Sequence, residues 1–287
     1  MEADKPGPIG PGSAFGPGCE MLIRSRTNEN VKRVRRLLTR RERDRTGLFL
    51  IEGARLVREA LEVGAEIVEL IAAPEALDPE ARATAEALRE QRRVPVLEVA
   101  REVLAAISPR HSQQGLAAVA RQRWERLEQV RLGQETCWAA LRGIDMPGSL
   151  GTILRISDAV GGAGVILMGS PTDPYDPAAV RASLGAVLSQ RLVRAGLEEF
   201  AAWKRREGAY VVGTSPAGPH QYTDISYPRP VVVLAGSERV GLSHEEEAVC
   251  DAVVRIPMAG RVESHHVAVA LAIVLYEAFG QQRRGAR

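Results

Sequence analysis

The fold of this chain is decided near its C-terminus, where residues 231–246 read VVVLAGSERVGLSHEE and residues 255–278 read RIPMAGRVESHHVAVALAIVLYEA. The apolar run Val231–Ala235 lies between Pro230 and Gly236. A short apolar run bounded by turn residues is typical of a strand buried on both faces in a parallel sheet. The polar residues after Gly236 then predict a loop at the end of that strand.

A second strand and a helix are predicted just after this loop. The strand covers residues 253–256 and meets Pro257, and the apolar helix runs over residues 264–276. An earlier strand, residues 210–215, ends in a small polar loop. Because open α/β sheets bind ligands at the carboxyl ends of their strands, the sequence predicts a ligand site here.

Length and composition set wide limits on the answer. The 287 residues are 45% hydrophobic, so the chain can bury a large core and two domains are expected. Residues 1–20 contain four Pro and five Gly, and they are interpreted as a flexible leader outside the fold. The net charge is only +2, so the total charge does not identify a partner.

The number of cysteines and the hydropathy of the sequence indicate the cellular compartment of the protein. Cys19, Cys137 and Cys250 are widely spaced and odd in number, which favours a reducing, cytoplasmic compartment and argues against a structural metal. The longest apolar helical run, residues 267–276, has ten residues, whereas a membrane span needs roughly 20. No signal-peptide pattern is present. We therefore expect a cytoplasmic protein with no membrane anchor and no metal.

Residues 24–45 carry ten basic side chains and only three acidic ones. Asn30 is predicted to cap a helix, and the apolar residues at positions 31, 34, 37 and 38 form one stripe that leaves the Arg side chains outward. A solvated face is the commoner outcome for a charge run, and a GC-rich genome also raises the Arg content. A cluster this one-sided repels itself unless an anion is near, which favours contact with phosphates. The predicted phosphate contacts are Arg24, Arg26, Lys32, Arg33, Arg35 and Arg36.

Strand and helix patterns alternate from residue 48 to residue 99, which predicts a small α/β domain over residues 21–120. Residues 121–135 are charged, lack a strand pattern and are interpreted as a linker. A strand over residues 136–144 then opens the second domain, residues 136–287. The chain is therefore predicted to be α/β in both domains.

The second domain begins with a sharp turn from strand to helix. Residues 145–169 read DMPGSLGTILRISDAVGGAGVILMG, and Gly148 and Gly151 permit such a turn. Arg155 would project from the first turns of the helix toward the strand ends. Arg181, further along, is predicted to hold a phosphate; an ordinary ion pair at the helix start is the alternative.

In combination, these motifs resemble those of the SpoU (TrmH-like) family of RNA ribose 2'-O-methyltransferases, in the SPOUT superfamily. The resemblance covers nearly everything from Met21 onward. It implies a C-terminal domain with a parallel sheet and a trefoil knot, preceded by an L30e-like RNA-binding domain. It also implies S-adenosylmethionine as cofactor, in a pocket lined by Thr214, Ser215, Gly236, Ile256, Met258, Ser264 and His265.

The same resemblance implies catalytic roles. Arg155 would lie beside the reacting ribose hydroxyl, and Glu238 near the reacting end of the cofactor; the alternative for Glu238 is an ion pair with a nearby Arg. A guanidinium with a pKa above about 12 is a poor base. Arg155 is therefore expected to orient the hydroxyl and to stabilise developing negative charge. The remaining predicted catalytic residues are Ser149, Ser264 and His266.

Three residues depart from the family pattern. Ser149 stands where the family has Asn, and His265 and His266 stand where it has Leu and Asn. Three alternatives follow: His266 replaces the Asn as a hydrogen-bonding partner or general base, the site is weakened or dead, or the two His residues bind a metal. Adjacent residues on a helix point about 100° apart and no third ligand is evident, which argues against a metal. Impaired activity is favoured over a replacement mechanism.

The substrate and partners are implied by resemblance alone. The N-terminal domain and the Arg-rich helix resemble actinomycete resistance methyltransferases that act on large-subunit ribosomal RNA. This implies 23S ribosomal RNA as substrate, avilamycin-type antibiotic resistance, and a homodimer to which the final helix contributes. Housekeeping methylation of ribosomal or transfer RNA, and an inactive RNA-binding role, are the alternatives.

Overall fold

A computed structural model describes residues 22–108, 114–133, 137–169, 172–237 and 240–285. The chain divides into two compact units, of which the first ends at Gln122 and the second begins at Arg123. Within the described ranges, no helix combines the length and the hydropathy that crossing a bilayer requires.

In its described residues, the first unit is a four-stranded sheet with five α-helices. Its sheet order is β1-β4-β2-β3, with β2 and β3 parallel and the other pairs antiparallel. The alternation predicted from the sequence is confirmed. The strands are β1 (Leu48–Glu52), β2 (Ile67–Ala72), β3 (Val96–Glu98) and β4 (Leu116–Arg121), and the helices are α1 (Glu29–Arg36), α2 (Arg40–Thr46), α3 (Ala54–Glu62), α4 (Pro79–Arg92) and α5 (Arg101–Ile107).

The basic segment differs from its prediction in two respects. The helix is capped by Asn28, whose Oδ1 accepts the Asn30 N–H at 2.9 Å, so the expectation that Asn30 is the cap was wrong. The segment also forms two helices instead of one, and the second buries Arg43, which donates to the Leu37 carbonyl at 2.8 Å. Arg43 therefore does not point outward, because it satisfies a carbonyl at the end of α1. The apolar stripe with Val31 and Val34 is buried as predicted.

The second unit is an eight-stranded parallel sheet flanked by helices. Its order is β10-β12-β9-β11-β6-β7-β8-β5. The strands are β5 (Glu125–Arg126), β6 (Cys137–Arg142), β7 (Gly164–Met168), β8 (Arg191–Ala195), β9 (Tyr210–Thr214), β10 (His220–Gln221), β11 (Val231–Ala235) and β12 (Ala252–Arg255). The helices are α6 (Pro147–Ala159), α7 (Pro177–Ser183), α8 (Ala186–Ser189), α9 (Leu197–Glu207), α10 (His244–Ala248) and α11 (Val267–Arg284). All five residues of β11 are buried, as a central parallel strand requires.

Two features of this unit correct the sequence interpretation. The segment interpreted as a linker contributes β5 to the sheet and a 3-10 turn, Leu127–Gln129, and Leu127 and Val130 are fully buried. The final helix begins at Val267, three residues later than predicted, and continues to Arg284. It begins there because the His266 side chain caps it. The trefoil knot stays a prediction.

Gly151 sets how closely α6 packs against α7. A Cβ at this position would lie 2.3 Å from the Ala179 carbonyl oxygen, which is backbone and cannot swing away. We therefore expect Gly151→Ala to destabilise the fold by about 1–3 kcal/mol despite the better helix propensity of Ala. Urea unfolding checks this. Gly148→Ala is the control, since nothing lies within 4 Å of a Cβ there, and equal effects of the two changes would contradict the packing argument.

Candidate functional site

A cavity of about 580 Å³ opens at the carboxyl ends of β9, β11 and β12 in the second unit. Its walls come from the loops after these strands and from the segment that leads into α11. All seven residues predicted to bind the cofactor line it: Thr214, Ser215, Gly236, Ile256, Met258, Ser264 and His265. The sequence interpretation omitted other lining residues, among them Pro216, Ser237, Val240 and Glu263. Each of them lies within a few residues of a predicted site residue in the sequence, and this proximity is the signal that could have identified them.

The loop after β11 folds back tightly on itself. Ser237 donates its N–H to the Gly241 carbonyl at 3.0 Å, and Gly241 donates to the Ser237 carbonyl at 2.9 Å. Gly236 fits against this turn only because it has no Cβ: an added Cβ would lie 2.1 Å from the Gly241 carbonyl oxygen. This wall of the cavity is therefore held by backbone contacts.

The loop after β6 lies against the loop after β11. A Cβ at Gly143 would lie 2.9 Å from the Ser237 Cβ, and Gly143 has a φ of +69°, which favours glycine. Arg142, at the end of β6, pairs with the buried carboxylate of Glu246 at 2.6 Å. The second oxygen of Glu246 accepts the Ser243 N–H at 2.8 Å and so holds the start of α10. The turn that precedes α6 is thus placed beside the cavity wall.

Ser149 and His266 meet across 117 residues of sequence. Ser149 lies in the first turn of α6 and is 7% exposed, and its Oγ is 3.0 Å from Nε2 of His266. His266 lines the cavity and precedes the first residue of α11. Two of the residues that depart from the family pattern therefore contact each other.

The second ring nitrogen of His266 decides its tautomer. Nδ1 accepts the Ala268 N–H at 3.2 Å and so carries no proton when the ring is neutral. The proton of a neutral imidazole is then on Nε2, which donates to the Ser149 Oγ. Because both nitrogens are occupied, this arrangement does not leave His266 a free lone pair for a general base or a metal.

Arg155 lies six residues after Ser149 on α6, about 9 Å along the helix axis. Its side chain is exposed, lies outside the cavity lining, and makes no hydrogen bond or ion pair with the residues that the structure describes. It is therefore available to a substrate. Glu238, the other residue predicted beside the reacting groups, falls outside the described residues.

The predicted RNA contacts have different surroundings. Arg24, Arg26, Arg35 and Arg36 are exposed, whereas Arg33 binds both oxygens of the Glu69 carboxylate at 2.7 and 2.9 Å. Lys32 pairs with Glu29 at 2.7 Å. Arg181 is half-buried in the last turn of α7. The exposed Arg side chains on α1 are the better placed of these to reach a phosphate.

The cysteines of the second unit are unsuited to nucleophilic chemistry. Burial raises the pKa of the Cys137 thiol and of the Cys250 thiol to about 12. Both thiols are therefore protonated at neutral pH, and a thiolate is the reactive form.

Both units of the chain match known protein families. Residues 137–276 match the SpoU rRNA Methylase family, and residues 28–118 match the MRM3-like substrate binding domain. The 23S rRNA (uridine(2479)-2'-O)-methyltransferase of Streptomyces viridochromogenes is 30% identical to this chain, over 86% of this chain and 87% of the relative. The chain belongs to the SpoU family.

Other relatives extend the likeness over nearly the whole chain. An AdoMet-bound rRNA methyltransferase from Sinorhizobium meliloti is 37% identical with a TM-score of 0.84, covering 93% of this chain and 98% of that one. RlmP of Bacillus subtilis, a 23S rRNA (guanosine(2553)-2'-O)-methyltransferase, is 28% identical over 90% of this chain and 99% of its own. AviRb of S. viridochromogenes, solved with AdoMet, is 29% identical with a TM-score of 0.80, over 89% of this chain and 98% of its own.

Proposed function

We propose that this chain transfers a methyl group from S-adenosylmethionine to a ribose 2'-hydroxyl of 23S ribosomal RNA. The observation that carries the proposal is the cavity at the ends of β9, β11 and β12, around which the motif residues gather. The names of the relatives support the reaction, since two curated relatives are 23S rRNA 2'-O-methyltransferases.

The residues present fit the cofactor. A volume of about 580 Å³ lies within the usual range for a pocket that encloses a small organic ligand. Ile256 and Met258 offer apolar walls for a base, and the loops after β9 and β11 offer hydroxyl and main-chain groups for the polar parts. When bound, S-adenosylmethionine supplies an electrophilic methyl group.

The protein has to position the acceptor hydroxyl, and the proton of that hydroxyl passes to water, because a guanidinium and a serine hydroxyl are both poor bases. Arg155 orients the ribose hydroxyl and its neighbouring phosphate, because a guanidinium is a strong double donor and a poor base. Ser149, on the same helix, adds a hydroxyl donor. Positioning of this kind accounts for much of the rate of a bimolecular transfer.

The test is transfer of radiolabelled methyl from S-adenosylmethionine to large-subunit ribosomal RNA, with the product mapped as a 2'-O-methyl ribose. This chain is compared with a variant that carries Ser149→Asn, His265→Leu and His266→Asn. We expect transfer by this chain. Methylation of a base, or no transfer by either protein while both bind the cofactor, would contradict the proposed reaction.

A second candidate is an RNA-binding protein with a disabled site, favoured by the changes at Ser149, His265 and His266. That these changes impair the methyl transfer of this chain stays a prediction. The Ser149–His266 hydrogen bond argues for the enzyme, because two unselected changes would have no reason to complement each other. Transfer by the triple variant alone would establish the disabled form.

The finer proposal concerns the target nucleotide and the biological role. Avilamycin-type resistance rests on the likeness to AviRb. The two 23S rRNA methyltransferases among the relatives, of similar identity to this chain, are named for different nucleotides, uridine 2479 and guanosine 2553. Mapping the methylated position decides between a resistance enzyme and a housekeeping one. Resistance requires in addition that expression of the chain raises the drug concentration that a sensitive host tolerates.

The homodimer is likewise a proposal. Val269 and Tyr276 of α11 are 47% and 51% exposed and lie seven residues apart, on one face of the helix. Apolar side chains on one helix face suit contact with a second copy. Sedimentation equilibrium of this chain and of Tyr276→Glu tests it, with a dimer expected only for the former.

The exposed Arg residues of α1 are proposed to contact phosphate. We expect the double change Arg35→Ala, Arg36→Ala to weaken binding to 23S rRNA fragments and to reduce the slope of log affinity against log salt by about 2, roughly one for each lost contact. Filter binding at several salt concentrations measures this slope. Arg121→Ala is the control, because Arg121 is paired with Glu66 at 2.7 Å. Equal slopes for all three proteins would place the RNA elsewhere.

A further inference from the structure

We infer that Ser149 and His266 form a positioning pair that replaces two amide side chains, with His266 holding the Ser149 hydroxyl as a hydrogen-bond donor for the ribose oxygen. The inference rests on the proposed function and goes further, since it assigns a role to residues that depart from the family pattern. Both members lie at helix N-termini, Ser149 in α6 and His266 ahead of α11, and their contact joins the two elements at the cavity.

The lengths of the two side chains complement each other. The polar atom of Ser149 is one bond from its Cβ, and Nε2 of His266 is three bonds from its own Cβ. Two Asn side chains would contribute two bonds each, so both pairs span the same number of bonds. A shorter residue on α6 is thus compensated by a longer one ahead of α11, and the 3.0 Å contact is the result.

Proton positions follow from the geometry. The Ala268 N–H occupies Nδ1 at 3.2 Å, so Nε2–H donates to Ser149 Oγ. With one lone pair of Oγ occupied, the Ser149 hydroxyl hydrogen is free to donate to an acceptor that enters the site. His266 therefore acts through Ser149 and is a positioning residue. Because the imidazole also caps α11, the same ring fixes the N-terminus of that helix.

The informative substitution is His266→Asn. Asn is a favourable helix cap, so the start of α11 is retained, but its amide is one bond shorter than the imidazole and does not reach Ser149. We expect kcat to fall roughly tenfold to hundredfold, which is less than the complete loss of a donor at a reacting oxygen costs, because the Ser149 hydroxyl remains and only its orientation is lost. KM for S-adenosylmethionine is expected to change less than kcat, because Asn keeps the start of α11 in place. Ser149→Ala removes the hydroxyl itself and is expected to lower kcat at least as much as His266→Asn does.

Rescue separates positioning from a general structural role. The double change Ser149→Asn, His266→Asn restores the span with two amides and is expected to recover kcat to within about threefold of this chain. His220→Asn, at an exposed position on β10, is the control for the His substitution, and Thr152→Ala, exposed on α6, is the control for Ser149. Unchanged kcat in His266→Asn, or a double variant no better than the single ones, would overturn the inference.

A readout that does not depend on activity keeps the two proposals distinguishable. Nitrogen NMR of the His266 ring is expected to give a pyridine-type Nδ1 and a pyrrole-type Nε2, and Ser149→Ala is expected to shift the Nε2 signal. A pyrrole-type Nδ1 would overturn the inference even if the enzyme is active. If the ring has the expected tautomer but neither this chain nor the double Asn variant transfers methyl, the proposed function fails and the positioning role fails with it. If only the double Asn variant transfers methyl, the fold supports the proposed reaction, but the positioning role of Ser149 and His266 is wrong.

Discussion

Arg155→Ala is expected to lower kcat for methyl transfer by roughly a hundredfold to a thousandfold and to leave the affinity for S-adenosylmethionine within about twofold. Removing one donor that stabilises developing charge costs about that much in other enzymes. The cofactor affinity is spared because Arg155 lies outside the cavity lining. Folding is spared because its exposed side chain makes no hydrogen bond or ion pair with the described residues. Single-turnover methyl transfer and calorimetric binding measure the two quantities.

Arg205→Ala is the matched control, since Arg205 is exposed on α9 and does not line the cavity. It is expected to behave like the parent chain. Arg155→Lys keeps the positive charge and loses the planar pair of donors, so we expect it to recover only part of the rate. A pH–rate profile that loses an ionisation near neutrality in Arg155→Ala would show that Arg155 acts as a base, against our expectation.

Gly236→Ala is expected to weaken binding of S-adenosylmethionine by roughly tenfold to hundredfold. The new Cβ would lie 2.1 Å from the Gly241 carbonyl oxygen and 2.5 Å from the Leu242 nitrogen, and both are backbone atoms. The backbone hydrogen bonds between Ser237 and Gly241 have to be disturbed, and overpacking of this kind costs about 1–3 kcal/mol. Since both residues line one wall of the cavity, much of the cost appears as lost affinity.

Gly260→Ala is the control for the glycine change. Gly260 is exposed in the segment that leads to α11, nothing lies within 4 Å of an added Cβ, and its φ is not positive. Its affinity for the cofactor is expected to match that of the parent chain. If Gly236→Ala binds as tightly as Gly260→Ala, the wall is not held by the turn that we describe.

The parts of the site that the sequence predicted are those built from contiguous segments. Val231–Ala235, an apolar run between turn residues, is the central buried strand, and the polar residues after it line the cavity. All seven residues predicted to bind the cofactor line this cavity because each lies near the end of a parallel strand or just before α11. A strand-end loop can open only at the edge of the sheet where its strand ends.

The predictions that failed concern residues whose structure is decided by contacts between distant segments or by a local hydrogen bond that the sequence pattern did not indicate. The helix predicted from residue 264 begins at Val267 because His266, not a common cap, accepts the Ala268 N–H. Arg43 is buried because a carbonyl at the end of α1 needed a donor. Residues 125–130 joined the second unit because β8 offered them an edge, which no local pattern reveals.

The sequence by itself determined the family, through motifs that resemble those of its members. It also determined the parallel α/β class of the second unit and the loops that surround the cavity, because strands and their end loops follow from apolar runs and from the turns that end them. Only the tertiary structure decided what the departures at Ser149 and His266 do. In the sequence the two changed residues are 117 positions apart, whereas in the folded chain the Ser149 Oγ lies 3.0 Å from the His266 Nε2. The orientation of the His266 ring follows from its cap on α11. The direction of its hydrogen bond to Ser149 depends on the positions of these atoms, which the sequence does not give.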